Sequence, residues 1–81
     1  MSNAIANEFP TPTLVTVTAK WSQRPGKFLS FLFVIHGTEV RNRVGHWIGH
    51  LRVTDKGDIW IQRGFAKGDY TECQIVVGRH I

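Results

Sequence analysis

The chain has a single cysteine among its 81 residues, and this scarcity excludes several classes of protein. One thiol can neither form an internal disulfide nor supply the several cysteines of a zinc ribbon or an iron–sulfur site. Cys73 lies among alternating apolar residues, a setting typical of a small buried side chain. The lack of disulfides predicts a reducing compartment, and we expect the protein in the cytoplasm.

Long apolar runs are also missing. The longest, residues 28–35, contains Ser30 and is too short to cross a bilayer as a helix. The first residues have neither a basic start nor an apolar segment, so the sequence predicts no secretory signal and no membrane association. Residues 1–12 contain two prolines and are predicted to form a flexible arm, in which Ser2-Asn3-Ala4 resembles the remnant of an expression tag.

Acidic residues are few, since six Asp and Glu stand against ten Lys and Arg, and the formal net charge is +4. A basic surface favours an anionic partner such as nucleic acid, although it can also serve solubility alone. A hydrophobic content of 42% with 20% charged residues is typical of a globular protein. The length then predicts one domain, residues 13–81, with a core of modest size.

From Thr13 onward, residues alternate with a period of two, and no helical stripe is present. Two strands, 14–22 and 28–36, flank a predicted type II turn at Arg24-Pro25-Gly26-Lys27, whose length leaves the pairing of the first strand open. The second strand is apolar on both faces. This pattern indicates a strand that is covered on both sides or one that lies in a curled or barrel-shaped sheet.

Glycines and two similar loops organise the second half of the chain. Gly37-Thr38 predicts a tight turn, and Gly45 and Gly49 indicate bulges or bends. The segments Asp55-Lys56-Gly57 and Ala66-Lys67-Gly68 predict hairpin loops, because Gly adopts a positive φ without a Cβ clash. The first loop pairs His50 with Gln62, Leu51 with Ile61, Arg52 with Trp60 and Val53 with Ile59. The second pairs Ile59 with Ile75, Trp60 with Gln74, Ile61 with Cys73 and Gln62 with Glu72.

These pairings predict a three-stranded meander with two distinct faces. The core face carries Trp47, Leu51, Val53, Ile59, Ile61, Phe65, Cys73, Ile75 and Val77. The opposite face carries His46, His50, Arg52, Trp60, Gln62, Tyr70, Glu72 and Gln74. The predicted fold is an all-β domain of five to six antiparallel strands in meander order, as a curled sheet or a partly open barrel of OB or SH3 size.

The second face is the candidate site, and its chemistry suits single-stranded DNA or RNA. An aromatic ring such as Trp60 stacks on bases, while cations contact phosphate and amides read base edges. The predicted phosphate contacts are Arg52, Arg41 and Arg43. The predicted polar contacts are His46, His50, Gln62 and Gln74. No catalytic residue, metal ligand or cofactor is predicted.

Other interpretations of the same face remain open. Trp60 opposite Arg52 is also a favourable cross-strand pair without any ligand. An exposed Trp equally fits a protein-binding factor, such as an inhibitor or assembly subunit of a phage or mobile element, or a homo-oligomer. His46 and His50 would be rooted roughly 13 Å apart on a strand, too far to share one metal ion. A remote alternative is a small ribonuclease that uses His50, Arg52, Tyr70 and Glu72.

One segment resembles a known family. Residues 21–35, with a Pro-Gly-Lys turn followed by Phe28, Phe31 and Phe33, look like the first hairpin of single-strand-binding OB-fold proteins. The resemblance covers less than a quarter of the chain and implies a small β barrel with a nucleic-acid ligand. The sequence leaves no room for the helix usual between the third and fourth OB strands, so no functional residue is carried over.

Overall fold

The protein is an antiparallel β barrel. The computed structural model describes residues 8–63 and 69–80, with the backbone alone at His80. The strands are β1 (Thr13–Trp21), β2 (Phe28–His36), β3 (Glu39–Asn42), β4 (Trp47–Val53), β5 (Ile59–Gln62) and β6 (Tyr70–His80). They follow meander order, and β6 pairs with β1 to close the barrel. The predicted fold class is therefore confirmed, with six strands and a closed barrel.

Meander order also limits the resemblance to OB-fold proteins. An OB fold is a Greek-key barrel, in which one long connection crosses to a distant strand. Here each strand pairs with its neighbours in sequence and the last strand pairs with the first. The likeness of residues 21–35 to OB-fold proteins is thus limited to a local β-hairpin. The described residues, 8–63 and 69–80, include no helix that is long and apolar enough to cross a membrane.

The first hairpin builds one wall of the barrel. Lys20 lies opposite Phe28, which settles the register left open by the first loop. Val15 and Val17 of β1 are fully buried and lie opposite Phe33 and Phe31. The outward residues of β2 are largely uncovered, with Phe28 49% exposed and Leu32 46% exposed. The apolar pattern on both faces of β2 therefore reflects a barrel wall with an exposed apolar exterior.

The hairpin β4–β5 has the predicted register throughout. The pairs are His50–Gln62, Leu51–Ile61, Arg52–Trp60 and Val53–Ile59. The loop closes because the Thr54 amide donates to the Asp58 carbonyl and the Gly57 amide donates to the Thr54 carbonyl, both at 2.9 Å. Gly57 has φ of +90°, a conformation that glycine adopts readily because it has no Cβ.

The predicted register between β5 and β6 is wrong. Ile61 lies opposite Tyr70 instead of Cys73, so the other predicted pairs of these strands do not form. Tyr70, predicted to face outward, is 4% exposed and packs in the core. The inward position of Tyr70 follows from a bulge opposite Ala19, where Glu72 has φ of +53°. The extra residue allows Tyr70 and Cys73, three positions apart, to point inward together.

Trp47 is the second correction, because it was expected in the core and is 37% exposed. A register shift between Val40 and Arg41 makes Ile48 the extra residue of β4, and Ile48 is buried in its place. Gly49 then lies against the wall of β5, where a Cβ would collide with the Gln62 carbonyl oxygen. The strands can approach this closely only because position 49 has no side chain.

The remaining predicted core positions divide into two groups. Leu51, Ile61 and Cys73 are buried, and Ile59 and Ile75 are partly buried against the core. Val53 and Val77, at one end of the barrel, are about half exposed. Phe65 and the predicted loop 66–68 lie outside the described residues.

The N-terminal segment contributes to the core as well. Phe9, in the stretch expected to be a flexible arm, is 2% exposed. Its carbonyl accepts a hydrogen bond of 2.6 Å from the Gly37 amide in the turn between β2 and β3. Residues 8–12 therefore hold one end of the barrel closed with a large apolar side chain. Residues 1–7 lie outside the described part of the chain.

Burial of Cys73 gives the protein a specific alkaline sensitivity. Desolvation raises the pKa of the thiol to about 11, against a smaller opposing effect of a hydrogen bond with the Ile61 backbone. An unfolded thiol has a pKa near 8.5, so between about pH 8.5 and 11 the unfolded chain releases this proton first. We expect the free energy of unfolding to fall across that range, measured by urea titration. Cys73→Ala should lack this component of the slope; an identical slope in the variant would contradict the assignment.

Candidate nucleic-acid interface

The outer surface of β3, β4 and β5 carries an aromatic and basic cluster. We call it the basic–aromatic face, and it consists of Arg41, Trp47, His50, Arg52, Trp60 and Gln62. The strand registers build it, since Arg41 lies opposite Trp47, His50 opposite Gln62, and Arg52 opposite Trp60. The alternation of side chains on paired strands puts these residues on one side of the sheet.

Two tryptophans share this face, whereas the sequence predicted one. Trp47 reaches it through the bulge at Ile48 and packs edge-on against the His50 ring, with centroids 5.6 Å apart. Trp60 is partly exposed and lies outside the hydrophobic core. The sequence signal for the position of Trp47 is Gly49, because a bulge next to this glycine reverses the face of the residues that precede it.

Arg52 is the cation of β4 that the hairpin register places on this face, opposite Trp60 of β5. Its Nε donates to the Gln62 Oε1 at 3.0 Å, a neutral acceptor that orients the guanidinium without cancelling its charge. The side chain is exposed, so its remaining donors are available to a ligand. The predicted opposition of Arg52 and Trp60 is present.

Arg41 and Arg43 differ from each other in their environment. Arg41 forms an ion pair with Glu39 at 3.1 Å and also donates to the Gly45 carbonyl at 3.0 Å. Two of its donor nitrogens are therefore engaged within the protein, one of them by a carboxylate. Arg43 lies in the turn after β3 and is exposed, with no ion-pair partner among the described residues. The two arginines do not continue one strand face, because β3 ends at Asn42.

The β3–β4 turn also carries His46, and one side chain orders it. The Asn42 Oδ1 accepts hydrogen bonds from the Val44 amide at 3.0 Å and from the His46 amide at 2.9 Å. His46 is exposed at the end of the basic–aromatic face nearest Trp47. The exposed side chains of Arg43 and His46 thus stand on a turn of defined shape.

An open cleft of about 480 Å³ lies beside Trp60. It forms where β5 and β6 separate, because these strands are paired at Ile61–Tyr70 and at no other described position. Its lining residues are Thr54, Asp58, Ile59, Trp60, Thr71 and Glu72. Glu72 forms an ion pair with Lys20 at 3.2 Å. The cleft therefore joins an aromatic surface to two carboxylates.

Two predicted site members lie elsewhere. Gln74 pairs with Thr18 of β1 and does not lie opposite Trp60, so it is separated from the basic–aromatic face. Tyr70 is inside the barrel, where its ring lies 6.0 Å from Trp21 and 4.8 Å from Phe31. The set of His50, Arg52, Tyr70 and Glu72 considered for RNA cleavage is therefore not on one face. Among the residues that the structure describes, no His, Cys, Asp and Glu side chains group as a metal site.

Comparisons with protein-family models, with curated proteins and with solved structures give no match for this chain. The function is therefore inferred from the chemistry of the site itself.

The three tryptophans should differ in their contribution to stability. Trp21 packs against Phe31 and Tyr70, and we expect Trp21→Ala to lower the free energy of unfolding by about 3 kcal/mol. Trp47→Ala and Trp60→Ala should each cost about 1 kcal/mol or less, because these rings contact little of the core. Urea unfolding followed by circular dichroism measures all three. A Trp60→Ala loss as large as that of Trp21→Ala would contradict the outward orientation of Trp60.

Proposed function

We propose that this protein is a non-enzymatic binding module for single-stranded nucleic acid and that the basic–aromatic face is its contact surface. The observation that carries the proposal is the presence of Trp47 and Trp60 on one outer face, with Arg52 directly opposite Trp60 and His50 between the two rings. Aromatic side chains on a basic sheet surface bind unpaired bases by stacking, at about 1–3 kcal/mol per base. A duplex hides its base faces, so this chemistry favours a single strand.

The spacing of the tryptophans supports two separate stacking positions. Trp47 and Trp60 are about five residues apart along the hairpin, which corresponds to roughly 15 Å at the backbone. Neighbouring bases of one strand could not occupy both rings at once. Arg52, directly across from Trp60, offers phosphate a cation that has no ion-pair partner among the described residues, and His50 and Gln62 offer polar contacts between the two rings.

Charges around the face favour one placement of the ligand. Asp58 and Glu72, on the cleft side of Trp60, would repel phosphate, whereas their oxygens can accept hydrogen bonds from base amino groups. Arg52, and beyond it Arg43 and His46 in the β3–β4 turn, lie on the other side. We therefore expect the sugar–phosphate chain to run along β4, with a base directed into the cleft beside Trp60.

Trp60→Ala is the direct test of this face. We expect the variant to bind a mixed single-stranded oligonucleotide roughly 5–100-fold more weakly than the natural protein at low salt, because one stacking platform is lost. Binding is measured by fluorescence anisotropy of a labelled oligonucleotide, so that the readout does not depend on the tryptophans themselves. Trp47→Ala should weaken binding in the same range.

Val44→Ala provides the control, since Val44 is 76% exposed and lies in the β3–β4 turn outside the stacking positions. It should bind as the natural protein does. A flat titration of the natural protein at low salt would overturn the proposal, and so would undiminished binding by the doubly substituted Trp47→Ala, Trp60→Ala protein.

Arg52 on β4 and Arg41 on β3 give a second, electrostatic test. Arg52→Gln and Arg41→Gln change the net charge equally, but Arg41 is engaged by Glu39. We expect Arg52→Gln to reduce the slope of log affinity against log salt by about 0.7, the value for one lost phosphate contact on a single strand. Arg41→Gln should leave that slope nearly unchanged. Equal effects of the two substitutions would indicate general attraction to a basic protein instead of a defined phosphate contact.

A further inference from the structure

Strand β6 has an edge without a backbone partner over most of its length in the described structure. On one side it pairs with β1 from Thr13–His80 to Trp21–Tyr70. On the other side β5 pairs with it at Tyr70, and no other described residue continues that ladder. Between the bulges at Glu72 and Gly78, alternate amide and carbonyl groups of residues 73–77 therefore point away from β1. Such an edge is a template for another strand.

The side chains of this edge are apolar on both faces of the strand. Val76 is 68% exposed and Val77 is 52% exposed. Residues 73–78 carry no charge, although the chain as a whole has a formal net charge of +4. Exposed edges are commonly protected by lysine, proline, inward-pointing charge or a bulge. Residues 73–77 have none of these, and bulges at Glu72 and Gly78 bound them at the two ends.

We propose that β6 pairs antiparallel with β6 of a second copy of this chain, so that two barrels join about a two-fold axis. An extended backbone is the ligand that satisfies the row of free amides and carbonyls. Antiparallel pairing also covers the exposed valines of each copy with those of the other. The two sheets then become continuous through the pair of β6 strands.

The ends of the edge favour a second copy over an unrelated strand. Glu72 lies at one end of the uncharged segment and Arg79 at the other. In an antiparallel self-pair, the Glu72 end of each copy meets the Arg79 end of its partner, and opposite charges approach at both ends. The Glu72 side chain remains 59% exposed while it contacts Lys20, and Arg79 has no ion-pair partner among the described residues.

The size of the contact predicts a weak dimer. A short strand pair covers less than the roughly 800 Å² per partner of a standard stable interface. We therefore expect association in the micromolar range, which sedimentation equilibrium can follow over protein concentrations from about 1 to 500 µM. The weight-average mass should rise from that of one chain toward that of two.

Val76→Lys tests the edge at its centre. Because Val76 is mostly exposed, the substitution should leave the monomer folded, while two like charges at the strand pair should raise the dimer dissociation constant at least tenfold. Val44→Lys makes the same chemical change at a position of similar exposure in the β3–β4 turn and should leave dimerisation unchanged. A natural protein that stays monomeric throughout, or a Val76→Lys dimer as tight as that of the natural protein, would overturn the proposal.

Charge reversal tests the antiparallel orientation. Glu72→Arg and Arg79→Glu should each weaken the dimer severalfold, and the double variant should recover most of the loss because opposite charges meet again. A double variant weaker than either single one would overturn the antiparallel self-pair. Trp60→Ala should dimerise normally, so this proposal and the nucleic-acid proposal fail separately.

Discussion

Two backbone hydrogen bonds in the loop between β4 and β5 determine which side chains this protein offers to a ligand. They join Thr54 to Asp58 and to Gly57, and Gly57 adopts the left-handed conformation that the loop requires. With the loop closed in this way, Ile61 enters the core and Trp60 faces outward opposite Arg52. A slip of one residue would exchange the two faces of β5, burying a large indole where a branched aliphatic side chain now packs. The basic–aromatic face is thus a consequence of loop geometry.

The parts of the fold that could be predicted from the sequence are those governed by local loop chemistry. The β4–β5 pairs follow from a Gly at the correct loop position, and β2 follows from a run of apolar and aromatic residues between two turns. The errors arise at bulges. Glu72 adopts a positive φ without being Gly, and the extra residue there shifts β6 against β1 and turns Tyr70 inward. Ile48 is likewise an extra residue, in β4, and its insertion leaves Trp47 exposed. A strict period of two cannot represent an inserted residue, so the side chains next to each bulge were assigned to the wrong face.

The barrel is unevenly closed, and both proposals depend on that asymmetry. The β1–β6 ladder extends along nearly the whole of both strands, whereas β5 and β6 meet at one residue pair. Separation of these strands opens the cleft beside Trp60 and leaves the Val76 edge of β6 uncovered. A longer β5 paired along the length of β6 would remove both features and bury more apolar surface. The uneven closure thus leaves apolar surface exposed, at some expense of stability, and provides two surfaces for partners.

Gly49 shows how a residue without a side chain can control the direction of another one. The Gln62 carbonyl occupies the space in which any other amino acid would place its Cβ. Gln62 in turn holds the Arg52 guanidinium through its side-chain oxygen. Any larger residue at position 49 would push this end of β5 outward and shift the group that aims Arg52. If the position of Arg52 is under selection, Gly49 should tolerate no substitution, although this buried glycine does not touch the ligand.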